Sequence, residues 1–156
     1  KPYWEGKSEQ KGIETYFRAV LENIVNYDCF DSVGHMDYLV RYIPKEKQES
    51  MQNGIVYSPW DYADAIDEIL RTIISRGIAL ECNTAGLKYG LGFAHPHDYI
   101  LKRYKDMGGE LLTIGSDGHI PDHIAFGFEE TCNHLKELGF SYYTVYRNRK
   151  PEFVRL

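Results

Sequence analysis

In the segment TIGSDGHIPDHI, Thr113 to Ile124, an aspartate and a histidine stand two apart across one glycine: Asp117, Gly118, His119. Imidazoles and carboxylates together form the ligand set for Zn²⁺, Mn²⁺ or Fe²⁺. A turn with a small middle residue lets side chains two apart aim at ions about 3.5–4 Å from each other, as in two-metal hydrolytic sites. Alone, the pattern is weak. Asp117 could cap a following helix, and His119 could be an ordinary loop histidine. Two other stretches carry polar residues that a core does not need, Gly34-His35-Met36-Asp37 and Glu81-Cys82-Asn83-Thr84. His35 by itself could be a satisfied buried histidine. Three such stretches at equivalent places in the fold would be a site. The donors of His35, Asp117 and His119 are then expected within about 10 Å of one another.

Equivalent places require repeating elements, and the chain has them. SEQKGIETYFRAVLENIVNY carries apolar residues at Ile13, Phe17, Val20, Leu21, Ile24 and Val25, a helical period, with Ser8 as a plausible N-cap. SPWDYADAIDEILRTIISRG predicts a helix capped by Ser58, with Pro59 in the first helical position and Gly77 ending it. HPHDYILKRYKDMGG and HIAFGFEETCNHLKELG predict two more, the last containing His123 and His134. Between them, CFDSVGHMDYL, IALECNTAGL and ELLTIGSDGH read as strands running into polar turns. YIPKEKQESMQNG reads as a charged loop. FSYYTVYRNRKPEFVRL reads as a strand, a turn at Asn148 to Pro151 and an extended tail. Strands alternating with helices argue for parallel βαβ units, in which function gathers at the C-terminal ends of the strands. Side chains two apart share a face of a strand. Glu81 and Asn83 therefore point one way and Leu80 and Cys82 the other. Thr113, Gly115 and Asp117 form one such set, and Asp31, Val33 and His35 another.

Composition narrows the function classes. The 156 residues suffice for one domain with a core, and 43% hydrophobic against 26% charged residues is globular, not disordered. A formal net charge of −5 with no basic run argues against binding nucleic acid by phosphate neutralisation. No stretch approaches the roughly 20 apolar residues of a membrane span. Cys29, Cys82 and Cys132 are widely spaced and read as small core residues of a cytoplasmic protein, not as a disulfide framework or a zinc ribbon.

The segments SVGHMDYLVRY, ALECNTAGL and LLTIGSDGH, in this order and spacing, resemble the C-terminal part of the polymerase and histidinol phosphatase (PHP) superfamily. The nearest likeness is to its histidinol-phosphatase branch. GHMDYLVRY and ECNTAGL are the branch-specific segments, GSDGH resembles the last metal motif, and YYTVYRNRKPEFVRL is similar to the way the branch ends. The resemblance covers nearly the whole chain. It implies an α/β fold, with residues 1–156 as the C-terminal portion of a single distorted (β/α)7 barrel domain. It also implies up to three divalent ions, Zn, Mn or Fe. His35 matches the histidine of the second metal, Asp117 the aspartate of the first and His119 the histidine of the third.

By the same resemblance Arg41 matches an arginine that reaches the substrate phosphate. A guanidinium fork suits phosphate oxygens, although a solvated surface arginine is the plainer reading. Glu81 and Asn83 are expected around the ligands or in the substrate pocket, and Asp37 could orient His35 or a neighbour. His95 and His97 flank Pro96 at a helix start and read as surface or capping residues, with His97 nearer the mouth of the site.

The resemblance implies a phosphomonoester hydrolase for L-histidinol phosphate or a similar small ester, in histidine biosynthesis, with metal-activated water as nucleophile and no side-chain nucleophile. The family's N-terminal His-x-His, a further histidine pair, a bridging glutamate and another histidine are absent from these residues. The chain is therefore expected to need the N-terminal part of the same barrel and to bind metal poorly alone. The other readings are a non-catalytic fragment or subunit needing that half, and a phosphoesterase for another substrate such as a nucleotide.

Overall fold

A computed structural model of the chain describes residues 3–44 and 57–156; the charged loop expected over 42–54 lies outside them from residue 45 onward. Helix α1, Glu9–Asn26, begins where Ser8 accepts a hydrogen bond from the Lys11 amide at 3.2 Å. It buries Ile13, Phe17 and Ile24, while Val25, counted with the apolar stripe, points to solvent. Strand β1 is only Ser32–Val33 and runs into a 3-10 turn, Tyr38–Tyr42. Helix α2, Ala63–Arg76, ends on Gly77 at φ 64°, a left-handed stop that glycine adopts without a Cβ penalty. Ser58 does not cap this helix. The chain enters through a 3-10 turn, Pro59–Tyr62, in which the Asp61 amide is already taken by the Ser58 carbonyl, and the serine side chain makes no capping hydrogen bond.

Strand β2, Ala79–Asn83, is followed by a single helical turn, α3, Ala85–Lys88. Helix α4, Asp98–Asp106, precedes strand β3, Leu112–Gly115. Helix α5 starts only at Phe128 and runs to Glu137. His123 therefore sits outside it, in a 3-10 turn at Pro121–His123, whereas His134 lies inside and meets Asp98 at 2.9 Å. β1, β2 and β3 form one parallel sheet in that order, with Val33 opposite Leu80, Leu80 opposite Leu112 and Glu81 opposite Thr113.

The expected strand, turn and tail at the end form a tight hairpin of β4, Tyr142–Arg147, and β5, Lys150–Arg155. Asn148 and Arg149 both take positive φ, 50° and 62°, the signature of a two-residue turn matched to strand twist. The turn is therefore shorter than 148–151, and Lys150 and Pro151 already pair with Arg147 and Tyr146.

One face of the parallel sheet carries Val33, Leu80, Cys82 and Leu112 into a cluster with Ile66, Ile69, Leu70 and Ile73 of α2 and Ile100, Leu101 and Tyr104 of α4. These aliphatic side chains each stabilise the fold by about 1.5–3 kcal/mol through burial. The opposite face carries Ser32, Glu81 and Thr113. Ser32 and Thr113, from the two outer strands, touch at 3.1 Å. Strands lie about 4.8 Å apart, so two short side chains meet across a third strand only where the sheet is concave. Of the cysteines, Cys82 is buried, Cys132 half-buried and Cys29 exposed, so Cys29 is not a core residue. Burial pushes the Cys82 thiol well up from its ordinary pKa, which makes it inert. Among the described residues no helix is long and apolar enough to cross a membrane.

Candidate metal and phosphate site at the strand ends

Glu81 sits on the concave face between the two neighbouring strands. A Cβ on Gly34 would lie 2.7 Å from Glu81 Oε2, and one on Gly115 would lie 2.5 Å from Oε1. Glycine on both flanks is what admits the carboxylate. Oε2 accepts the His35 amide at 3.3 Å and the Asn83 side-chain amide at 3.3 Å. Asn83 in turn accepts the Ala85 amide at 2.9 Å and so fixes the entry into α3. Glu81 and Asn83 thus share the face that alternation predicts, and they tie the exit of β1 to the exit of β2.

His35 departs from the alternation rule. Its neighbour two back, Val33, enters the core, yet His35 is half-buried and has φ 57°. That left-handed backbone interrupts the pleat and frees the histidine from Val33's side of the sheet. Its carbonyl accepts the Tyr16 hydroxyl at 2.5 Å, and its ring meets Tyr38 edge-on at 4.5 Å. Burial, and then the charge of Asp37, push the Tyr16 hydroxyl up to about 12, so it stays a donor.

Asp117 shows the same device, with φ 46° two residues after the end of β3. Non-glycine residues rarely take this conformation, and they concentrate where a side chain must be aimed. Asp117 Oδ1 lies 3.3 Å from His119 Nε2, with His119 largely in solvent. Lys88 donates to the Ser116 and Asp117 carbonyls at 3.2 and 3.1 Å, and Thr84 donates to the Phe126 carbonyl at 2.6 Å. The β3 exit loop is thereby bound to α3.

Asp37 orients a neighbour, His95, not His35. Both side chains are inaccessible to solvent, and Asp37 Oδ1 meets His95 Nδ1 at 2.8 Å while Oδ2 accepts the His97 amide at 2.8 Å. His95 is therefore neither a surface nor a capping residue. His97 does cap, since its Nδ1 accepts the Tyr99 amide at 3.1 Å at the start of α4. It lies half-buried against Phe93, and burial lowers its pKa, which favours the neutral ring.

Arg41 lies in the 3-10 turn after β1. Nη1 donates to the Tyr38 hydroxyl at 2.8 Å, and the guanidinium sits 3.2 Å above the Tyr89 ring. Among the described residues it pairs with no carboxylate. Burial is the main cause that raises Tyr38 to about 12; the hydrogen bond with Tyr42 and the Asp117 charge add to it, and Arg41 opposes it.

The structure thus brings His35, Arg41, Glu81, Asn83 and Asp117 to one end of the sheet, with His119 beside Asp117 at the rim. It does not form a closed metal cluster: among the described residues no group of three or more His, Cys, Asp and Glu side chains is arranged to hold an ion. Sequence reasoning missed Tyr38, Lys88, Tyr89 and the role of His95. The 58-residue separation of Asp37 and His95 leaves no spacing signal.

No protein-family model matches the chain. It is 34% identical to a probable histidinol-phosphatase of Clostridium acetobutylicum over 148 residues, covering 90% of this chain and 54% of the relative. It is 35% identical to a probable histidinol-phosphatase of Thermotoga maritima over 116 residues, covering 74% of this chain and 44% of the relative. The chain spans about half the length of these curated relatives. In fold it is similar, with a TM-score of 0.77 and 24% identity, to the histidinol phosphate phosphatase of Lactococcus lactis, solved in complex with zinc, L-histidinol and phosphate; the match covers 97% of this chain and 54% of that one. By sequence and by fold, then, the chain is similar to one part of the histidinol-phosphatases.

Proposed function

We propose that residues 1–156 form the C-terminal part of a single (β/α)7-type barrel in a metal-dependent phosphomonoester hydrolase for L-histidinol phosphate or a closely similar ester. The observation that carries this is the shared strand end. There Glu81 is seated between Gly34 and Gly115, and His35 and Asp117 are each turned by a left-handed backbone. The concave face and the likeness to histidinol-phosphatases support the same reading.

The donors fit a divalent ion in kind. Asp117 and His119 offer a carboxylate oxygen and an imidazole nitrogen 3.3 Å apart, and His35 offers a second imidazole at the neighbouring strand end. They form part of a donor set, and the remaining ligands come from outside the described residues. A bound divalent ion supplies Lewis acidity toward water and toward phosphoryl oxygen. This chain's residues do the rest. Arg41 grips the phosphate through its fork, and Glu81 and Asn83 fix the backbone of His35. Asp37 locks the start of α4, with His97 beside it, against the β1 exit.

The test separates metal assembly from phosphate recognition, using metal analysis beside kinetics on histidinol phosphate with the full-length protein. Asp117→Ala should lower zinc content and activity together. Arg41→Ala should lower efficiency by roughly 10²–10³-fold, about 3–4 kcal/mol of transition-state stabilisation, with zinc content unchanged. Arg41→Lys should recover part of the loss, because it keeps the charge and loses the fork. Full efficiency in Arg41→Ala removes the phosphate assignment, and unchanged zinc in Asp117→Ala removes the metal assignment.

A further inference from the structure

Arg41 and Lys88 come from different strand exits and converge on one ring. The Arg41 guanidinium lies 3.2 Å over the Tyr89 centroid, and the Lys88 ammonium lies 5.1 Å from the same centroid. Neither pairs with a carboxylate among the described residues. Lys88 is held by two carbonyls, while among the described residues Arg41 makes one hydrogen bond, to the Tyr38 hydroxyl at 2.8 Å. One hydrogen bond leaves a guanidinium free to swing about that contact. Three rings surround it, Tyr42 at 5.2 Å, Tyr38 at 5.4 Å and Tyr89 at 3.2 Å, and the Tyr89 face, much the nearest of the three, restricts that freedom most, because a planar cation stacks flat on a π-face.

From this contact we infer that Tyr89 is a positioning residue for anion recognition. Its ring fixes the plane of the Arg41 guanidinium and keeps it next to Lys88 despite their like charges, ready for a phosphate. The proposal rests on the reading of Arg41 as the phosphate-binding residue. Tyr89 suits the role because it does little else. The residue is 42% exposed, and its fold contacts as the C-cap of α3 are made by its backbone amide, to Ala85 and Leu87. Trimming the ring therefore leaves the local fold in place. The Tyr38 hydroxyl sets where the guanidinium edge lies, and Tyr89 sets its tilt.

The experiment is a double-mutant cycle on the zinc-loaded full-length protein, read as the dissociation constant for inorganic phosphate, with thermal unfolding of each variant as the control. Arg41→Ala should weaken phosphate binding by about 10–100-fold, the scale of a charge-assisted contact. Tyr89→Ala should weaken it by about 3–10-fold, the scale of a partly exposed cation–π contact. Tyr89→Phe should restore most of that loss, since the face and not the hydroxyl is used. In the Arg41→Ala background, Tyr89→Ala should add nothing. The proposal is overturned if Tyr89→Ala leaves phosphate affinity unchanged, or if it keeps its full effect without Arg41. If Arg41→Ala itself binds phosphate normally, the underlying reading of Arg41 fails and the proposal fails with it.

Discussion

Asp37 and His95, 58 residues apart, meet at 2.8 Å with both side chains shut off from solvent. The contact joins the exit of β1 to the segment that leads into α4. The His95 backbone also pairs with Asn83 in both directions, at 2.7 and 2.8 Å. Three segments that carry site residues are therefore fastened at one point.

That point sets a stability prediction. Asp37 satisfies two donors, the buried His95 Nδ1 and the half-buried His97 amide. Asp37→Ala leaves both without an acceptor, at about 1–3 kcal/mol each. Its unfolding free energy in urea should fall by about 2–6 kcal/mol. Asp37→Asn keeps one acceptor and should fall by roughly half as much. A loss below about 1 kcal/mol for Asp37→Ala would show that the pair is not structural.

The glycine flanks of Glu81 predict a different balance. A methyl group at Gly115 would stand 2.5 Å from Glu81 Oε1, so the carboxylate must swing away and release the His35 amide. The obstructed atom is the end of a flexible side chain, and the stability cost of Gly115→Ala should stay within about 1 kcal/mol. The proposed activity on histidinol phosphate should drop by about 10²-fold, the usual penalty for displacing a reacting constellation by an ångström. Unchanged turnover in Gly115→Ala would mean that the position of Glu81 is immaterial to the reaction.

Acid stability should report the α2–α4 contact. Arg103 grips largely buried Asp67 with both arms, Nε to Oδ1 at 2.7 Å and Nη2 to Oδ2 at 2.5 Å. The hydrogen bonds from Arg103, opposed by partial burial, hold the Asp67 carboxyl below its usual range. A folded pKa below the unfolded one adds stability above the unfolded value, near 3.9, and that stability disappears as pH falls toward the folded value. Asp67→Asn should therefore be less stable than the parent at pH 7, and the gap should narrow below about pH 4. A gap that stays constant from pH 7 to pH 3 would rule out this linkage.

What the sequence determined by itself was local. Ser8 capping α1, Gly77 stopping α2 and the alternation that sends Leu80 and Cys82 into the core while Glu81 faces away are set by neighbours a few residues apart. So were the three polar strand exits and their order along the chain. Tertiary structure decided the rest, because its causes act over long separations. The positive φ of His35 departs from the strand rule that groups it with Val33, and no local pattern announces it. The tight Asn148-Arg149 turn shortened the expected loop, since strand twist selects turns with two left-handed residues and neither is a glycine. His95 reads as a surface residue until a carboxylate 58 positions away is packed against it. Tyr89 likewise gains a role only when folding lays Arg41 on its face. Periodicity records which side of an element is buried, whereas the partner met there depends on how separate elements pack.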